Sequence, residues 1–201
     1  MKNKSNNIFS VFDKILPKEA KERKLNQKAI TIWMTGLSGS GKTTIAIGLE
    51  KRLHDLGYLT QVLDGDNVRT GISNNLGFSD EDRTENVRRI AEVSKLFVNC
   101  GIITINCFIS PTRKIREQAK NILNGNCIEV FINTPIAVCE DRDTKGLYKK
   151  ARIGVLKDFT GISAPFEPPE NPDVEIKTVS QTVEESVEEL VAKILPIITY
   201  D

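Results

Sequence analysis

The chain has 201 residues, enough for one α/β domain with a full core and short for two. Its 28 basic and 27 acidic residues exclude a bulk electrostatic pull toward nucleic acid or membrane, and leave room only for a local basic site. A single histidine, His54, excludes a His-pair metal site. The four cysteines, Cys100, Cys107, Cys127 and Cys139, lack any CxxC or Cys/His spacing and read as reduced thiols in a core. No stretch approaches the ~20 apolar residues of a membrane span, and no signal-peptide core is present, so the expected location is the cytoplasm.

Residues 1–28 are polar and lysine-rich, with "IFSVF" as an apolar knot. They read either as a disordered lead or as a short helix docking on a neighbour. The folded domain is expected over 29–201. "AITIWMT" predicts a buried strand, "GLSGSG" a loop, and "KTTIAIGLEKRLHDLG" a helix stopped by Gly57, with His54 on its polar side. "LTQVLD" and "IITINCF" predict strands either side of a helix, "EDRTENVRRIAEVSKLFVNCG", which ends at Gly101. "PTRKIREQAKNIL" predicts helix, "CIEVFIN" strand, "TPIAVCEDRD" helix, "VEIKT" a short strand and "VEESVEELVAKIL" an amphipathic helix. This alternation predicts a three-layer α/β fold, a parallel sheet with helices on both faces.

"GLSGSGKT", Gly36 to Thr43, satisfies G-x-x-x-x-G-K-[ST] between a strand and a helix. Glycines let successive backbone N–H groups face phosphates, and the helix N-terminus adds its positive dipole. Lys42 would reach the β- and γ-phosphates, and the Thr43 hydroxyl would ligate Mg²⁺. The chain is therefore expected to bind a nucleoside triphosphate.

Hydrolases of this type carry an acidic residue at the end of an apolar strand, but "IITINCF" runs into "ISPTR", with Ser110 in that region. The acid is expected instead from "VLDGDNVRTG", where Asp64 and Asp66 end the second strand. Beside the P-loop strand, that strand would deliver both carboxylates to the crevice where open α/β sheets bind ligands. One could take up a hydroxyl proton and the other hold its partner; a plain helix N-cap is the alternative. Arg69, one turn on, suits an anionic acceptor and favours a kinase over a hydrolase. Farther on, Phe78 sits on a loop, and Arg83, Asn86 and Arg89 follow at i, i+3, i+6 spacing on nearly one helix face. That face suits an anion attached to a ring; a salt-bridged, solvated helix among Asp80, Glu81, Asp82 and Glu85 is nearly as good a reading.

Taken in order, "GLSGSGKTT", "DGDNVR", "LGFSDEDRTENVRRIAEV", "FISP", "KGLYKKAR" and "FTGISAPFEPPENPD" resemble the adenylylsulfate kinase family, over about residues 29–195. The resemblance implies a P-loop nucleoside triphosphate hydrolase/kinase fold. It also implies transfer of phosphate from ATP to the 3′-hydroxyl of adenylyl sulfate, with Mg²⁺ and a homodimeric assembly. Residue by residue, it makes Asp66 the general base or hydroxyl-orienting carboxylate and Asp64 its partner, near the metal with Thr43. Gly36, Leu37, Ser38, Gly39, Ser40, Gly41, Lys42, Thr43 and Thr44 would cradle ATP. Arg69, Arg83 and Asn86 would hold phosphosulfate and ribose, while Phe78 and Phe166 stack on the two faces of the acceptor adenine. "RDTKGLYKKARIG" resembles the family's lid, spanning about 142–165, with Gly146 as hinge. Lys145, Gly146 and Leu147 would face the acceptor, and Arg152 the nucleotide.

Ser110 corresponds to a serine phosphorylated in the family; a helix N-cap before Pro111 is an equally good reading. Departures are few: Lys-Thr-Thr replaces the commoner Lys-Ser-Thr, and residues 1–28 resemble the family poorly. No sulfurylase domain accompanies the kinase, so a monofunctional form is expected. The rival expectations are a P-loop kinase of another small acceptor and a nucleotide-binding regulatory module.

Overall fold

The computed structural model describes residues 9–200. Five strands, β1 (Thr31–Thr35), β2 (Thr60–Asp64), β3 (Ile103–Cys107), β4 (Cys127–Asn133) and β5 (Val174–Lys177), form one sheet in the order β2-β3-β1-β4-β5. Every pairing is parallel. The helices are α1 (Lys18–Leu25), α2 (Lys42–Asp55), α3 (Gly65–Thr70), α4 (Asp80–Asn99), α5 (Arg113–Leu123), α6 (Ile136–Arg142), α7 (Leu147–Arg152) and α8 (Val183–Ile198).

Strand alternation decides which side chains meet which helices. Ile32 and Met34 of β1, Ile103 and Ile105 of β3, and Val130 and Ile132 of β4 pack with Leu49 and Leu53 of α2 and Leu190 and Ile194 of α8. Trp33 points the other way, into a cluster with Val87 and Ile90 of α4 and Ile115 and Ala119 of α5. β1 and β3 are buried along their whole length, as central strands covered on both faces must be. The edge strand β5 instead alternates buried and exposed.

Helix ends follow local chemistry. Ser79 caps α4 by accepting from Asp82 N, and Asp80, Glu81 and Asp82 occupy the electropositive first turn. Thr182 and Glu185 form a reciprocal capping box at α8. Gly57 and Gly101 close α2 and α4, with Tyr58 N bonding back to Leu53 O and Ile102 N to Phe97 O.

Three expectations are corrected. β2 does not lie beside β1: β3 stands between them. A βαβ crossover can land one or two strands away, and nothing in the local sequence fixes which. Cys100 is exposed at the C-terminus of α4, although Cys107 and Cys139 are buried; all four thiols are free. Thr112, not Ser110, caps α5, its hydroxyl accepting from Ile115 N.

The lead contains α1, and that helix docks on its own chain. Glu22 accepts from Ala29 N at 2.6 Å and Lys21 Nζ donates to Asn99 O at 2.9 Å. Gln27, fully buried, donates to Leu59 O and Gly101 O and accepts from Leu59 N. The side chains of Phe9, Val11 and Phe12 are exposed, while residues 1–8 of the lead, including Ile8 of the knot, lie outside the described residues.

Candidate active site

The carboxyl ends of the strands open into a cavity of about 860 Å³. Its floor is the loop between β1 and α2. At Gly36 (φ 152°) a Cβ would lie 2.6 Å from Ile132 O, and at Gly39 (φ 73°) it would lie 3.0 Å from Cys139 O. At Gly36 the backbone passes too close to its neighbour for any side chain, and at Gly39 the contact is tight and the positive φ strains any residue but glycine.

Lys42 opens α2 and turns back over this loop, Nζ donating to Leu37 O at 2.6 Å and Gly36 O at 2.9 Å. Burial pushes its ammonium down from 10.5 to about 8. Only the protonated form attracts phosphate, so nucleotide affinity should be highest below pH 8 and decline above it. Above pH 8, binding should draw a proton onto Lys42. Calorimetric titration with a non-hydrolysable ATP analogue at pH 9, in buffers of different ionisation enthalpy, should show uptake of about one proton, against almost none at pH 6.5. Equal uptake at both pH values would rule out this coupling.

Thr43 Oγ1 donates to Asp64 Oδ2 at 2.8 Å, although β3 separates the strands that lead to them. α2 runs back across β3 to reach β2, which brings its first turn to the end of β2. Asp64 Oδ1 meanwhile accepts from Asp66 N at 3.0 Å and Asn67 N at 3.4 Å, capping α3. Both readings of Asp64 hold together: one oxygen fixes the turn and the other faces the P-loop. The cap also explains how Asp66 is presented, in the first turn of α3 at the cavity edge, where the Lys145 ammonium forms an ion pair with it.

Two arginines frame the far wall. Arg69 donates to Leu76 O and Gly77 O, and its guanidinium lies 4.5 Å from the Phe78 ring centroid. Arg83 donates to Phe78 O, Asp158 O and Thr160 Oγ1, 5.9 Å from the same ring. Burial lowers the pKa of both, and for Arg69 the neighbouring Arg83 charge adds to it. Two guanidinium groups on one wall favour an anion there. Phe78 itself is 60% exposed, with the Arg69 guanidinium over its ring. Asn86 is buried at the cavity wall, and its Oδ1 lacks a hydrogen-bond donor. The helix face thus divides its work: Arg89 goes to Glu85, Ile72 O and Asn75, away from the cavity.

The cavity takes in Ser38, Gly39, Gly41, Lys42, Thr43, Thr44, Asp64, Asp66, Arg69, Phe78, Arg83, Asn86, Ser110 and Lys145. It does not take in Gly36, Leu37, Ser40, Gly146, Leu147, Arg152 or Phe166. Ser40 is buried beside Lys42. Leu37 and Leu147 join Cys139, Tyr148, Ala151 and Phe159 in a small apolar cluster that seats segment 136–162 on the P-loop, aided by Tyr148 OH donating to Ser38 O. Arg152 pairs with Glu140. Phe166 stacks on Phe131 at 6.1 Å. Ser110 is buried at φ 44°, its Oγ accepting from the Trp33 indole at 3.0 Å.

The sequence places Arg142 only in the cationic run of the lid and gives no site role to Thr178, Gln181 or Thr182; all four line the cavity. Arg142 donates to Thr178 Oγ1 and Thr178 O. In sequence it is one more cation in a basic run, and only the fold shows that it turns inward. Cys107, against the P-loop helix, is held inert by burial, which pushes its thiol up to about 12.

A P-loop facing two carboxylates and an arginine-walled acceptor pocket, on this parallel sheet, defines a P-loop kinase. The sequence model described as adenylylsulphate kinase matches residues 28–177, and the chain belongs to that family. An adenylyl-sulfate kinase of Bacteroides fragilis is 56% identical over 193 residues, covering 96% of this chain and 96% of its own length. That match reaches well into the lead, which is therefore more widely shared than expected. The adenylyl-sulfate kinase of Clostridium acetobutylicum is 52% identical over 181 residues, 90% of each chain. Among solved structures, the Mycobacterium tuberculosis APS kinase CysC, in complex with AMPPNP and APS, aligns with a TM-score of 0.81 at 40% identity, covering 83% of this chain and 98% of that one.

Proposed function

We propose that the chain transfers the γ-phosphoryl group of ATP to the 3′-hydroxyl of adenosine 5′-phosphosulfate, giving ADP and 3′-phosphoadenylyl sulfate. The observation that carries this reading is the single cavity joining the Gly36–Thr43 loop to Asp66, Arg69, Phe78 and Arg83. The P-loop holds the donor phosphates through backbone N–H groups and Lys42. Arg69 and Arg83 hold the acceptor's phosphosulfate, and Phe78, with Phe166 from the neighbouring loop, stacks on its adenine. Asn86 Oδ1 accepts from a ribose hydroxyl. Asp66 orients the 3′-hydroxyl and takes its proton as the new O–P bond forms and the bond to ADP breaks. Lys145 then leaves Asp66 for the acceptor's anionic group.

Magnesium suits this donor set. Thr43 Oγ1 and Asp64 Oδ2 are hard oxygens 2.8 Å apart, and Mg²⁺ usually takes one or two protein oxygens, with phosphates and water completing its shell. When bound, it neutralises charge on the β- and γ-phosphates. Direct transfer needs no serine intermediate, and Ser110 acts in the cavity wall, its oxygen engaged by Trp33. No helix among the described residues is long and apolar enough to cross a membrane. That is consistent with a cytoplasmic enzyme, and the family resemblance supports a homodimer.

The reading is tested by ADP release with adenylyl sulfate, AMP and shikimate as acceptors. Adenylyl sulfate alone should support turnover, and the change Phe78→Ala should raise its KM about tenfold with little effect on the KM for ATP, one base stack being worth about 1–3 kcal/mol. Equal turnover of AMP would remove the role assigned to the arginine wall.

A further inference from the structure

A buried arginine outside the cavity ties the Ser110–Pro111 wall to the loop that carries Phe166. Arg116 of α5 is 3% exposed and Glu129 of β4 is 4% exposed. Their ion pair, Nε to Oε1 at 2.8 Å, is joined by Lys120, whose Nζ lies 2.7 Å from Glu129 Oε2. Burying an ion pair usually adds little net stability, because desolvation offsets the attraction. What distinguishes this one is where the guanidinium sends its other donors. Nη1 donates to Ser110 O at 2.8 Å and Nη2 to Glu167 O at 2.7 Å. The first carbonyl belongs to the wall residue held at positive φ; the second follows Phe166, whose ring lies 6.0 Å from the guanidinium.

The two loops are also stitched to each other. Glu167 N donates to Pro111 O at 2.8 Å, Arg113 N to Glu167 Oε2 at 2.7 Å, and Arg113 Nε to Pro168 O at 3.1 Å. A guanidinium is a rigid planar fork that can hold two carbonyls at a fixed spacing while its Nε meets a carboxylate; an ammonium is a point charge and cannot.

We infer that Arg116 is a positioning residue for the acceptor: anchored by Glu129, it sets the Ser110–Pro111 wall and the Phe166 loop at a fixed separation. It touches no substrate and acts through Phe166 and the wall. The inference rests on the acceptor reading above, since it assumes that the base lies against Phe166.

The test compares Arg116→Lys, which keeps a cation for Glu129 but loses the fork, with the paired change Arg116→Met and Glu129→Leu, which removes the buried charges together. Both variants should show a KM for adenylyl sulfate raised about tenfold, the size of one lost base stack, with the KM for ATP nearly unchanged. Adding Phe166→Ala to Arg116→Lys should raise the KM little further, because the two act in series. In the free proteins, hydrogen exchange at the Phe166 and Glu167 amides should be faster in both variants than in the parent, and emission from Trp33, the sole tryptophan, should shift as the Ser110 turn relaxes. Unchanged exchange at Phe166 and Glu167 in Arg116→Lys, or equal effects on both KM values, would overturn the inference. If the exchange difference appears but the parent protein does not use adenylyl sulfate, the loop clamp stands and the acceptor reading falls.

Discussion

Changing Lys42 to methionine is expected to lower kcat/KM about 10²–10³-fold, the loss typical of removing one well-placed electrostatic group from a transition state. The same change should move the melting temperature little, because relief from burying the ammonium offsets the donor lost by Gly36 O and Leu37 O. The ammonium is buried against the P-loop carbonyls at a pKa of about 8, against 10.5 for the free side chain. That depression corresponds to about 3 kcal/mol of unfavourable burial at neutral pH. The sign follows from the two values: between pH 8 and 10.5 the unfolded chain holds the proton that the folded chain has released, so stability rises with pH in that window. Methionine has no such proton. Any stability advantage of Lys42→Met should therefore shrink as pH is raised from 8 to 10, which thermal melts at the two pH values would detect. A variant that is inactive because it is unfolded would contradict this account of Lys42.

Replacement of Asp66 by asparagine should lower kcat about 10²-fold or more while the KM for ATP changes little. The substitution preserves size and leaves Asp64 free to cap α3, because the cap uses the Asp66 backbone N–H and not its side chain. Only the proton acceptor, and the ion pair with Lys145, is lost. Product formation in a single turnover separates a chemical defect from slow release. Full turnover by this variant, with ATP binding intact, would mean that another group handles the hydroxyl proton.

The donor half of the site was legible in the sequence because its chemistry is local. One loop supplies Gly36 to Thr43, and the strand before it and the helix after it carry clear periodicities. The acceptor half is harder, because α3 is only six residues long and depends on the Asp64 cap for its existence. The order of the strands is not legible in the sequence, and adjacency of β2 and β1 is not needed for Asp64 to meet Thr43, since α2 spans the gap across β3. Arg116 escaped notice for a different reason. "RKIRE" has the charge density of a solvated helix, and its burial is set by Glu129 on β4. The available signal was Glu129 itself, a lone carboxylate inside the apolar run "CIEVFIN", which calls for a buried cation opposite it. Arg142 has no comparable marker.

The most direct measurement is the structure of the product formed from ATP and adenosine 5′-phosphosulfate, read by mass spectrometry and phosphorus NMR. The site predicts one added phosphate, on the 3′-hydroxyl, and binding without turnover for the 3′-deoxy analogue. Phosphate on any other oxygen, or no product from folded protein that binds ATP, would contradict the assignment of Asp66 and the arginine wall to this acceptor.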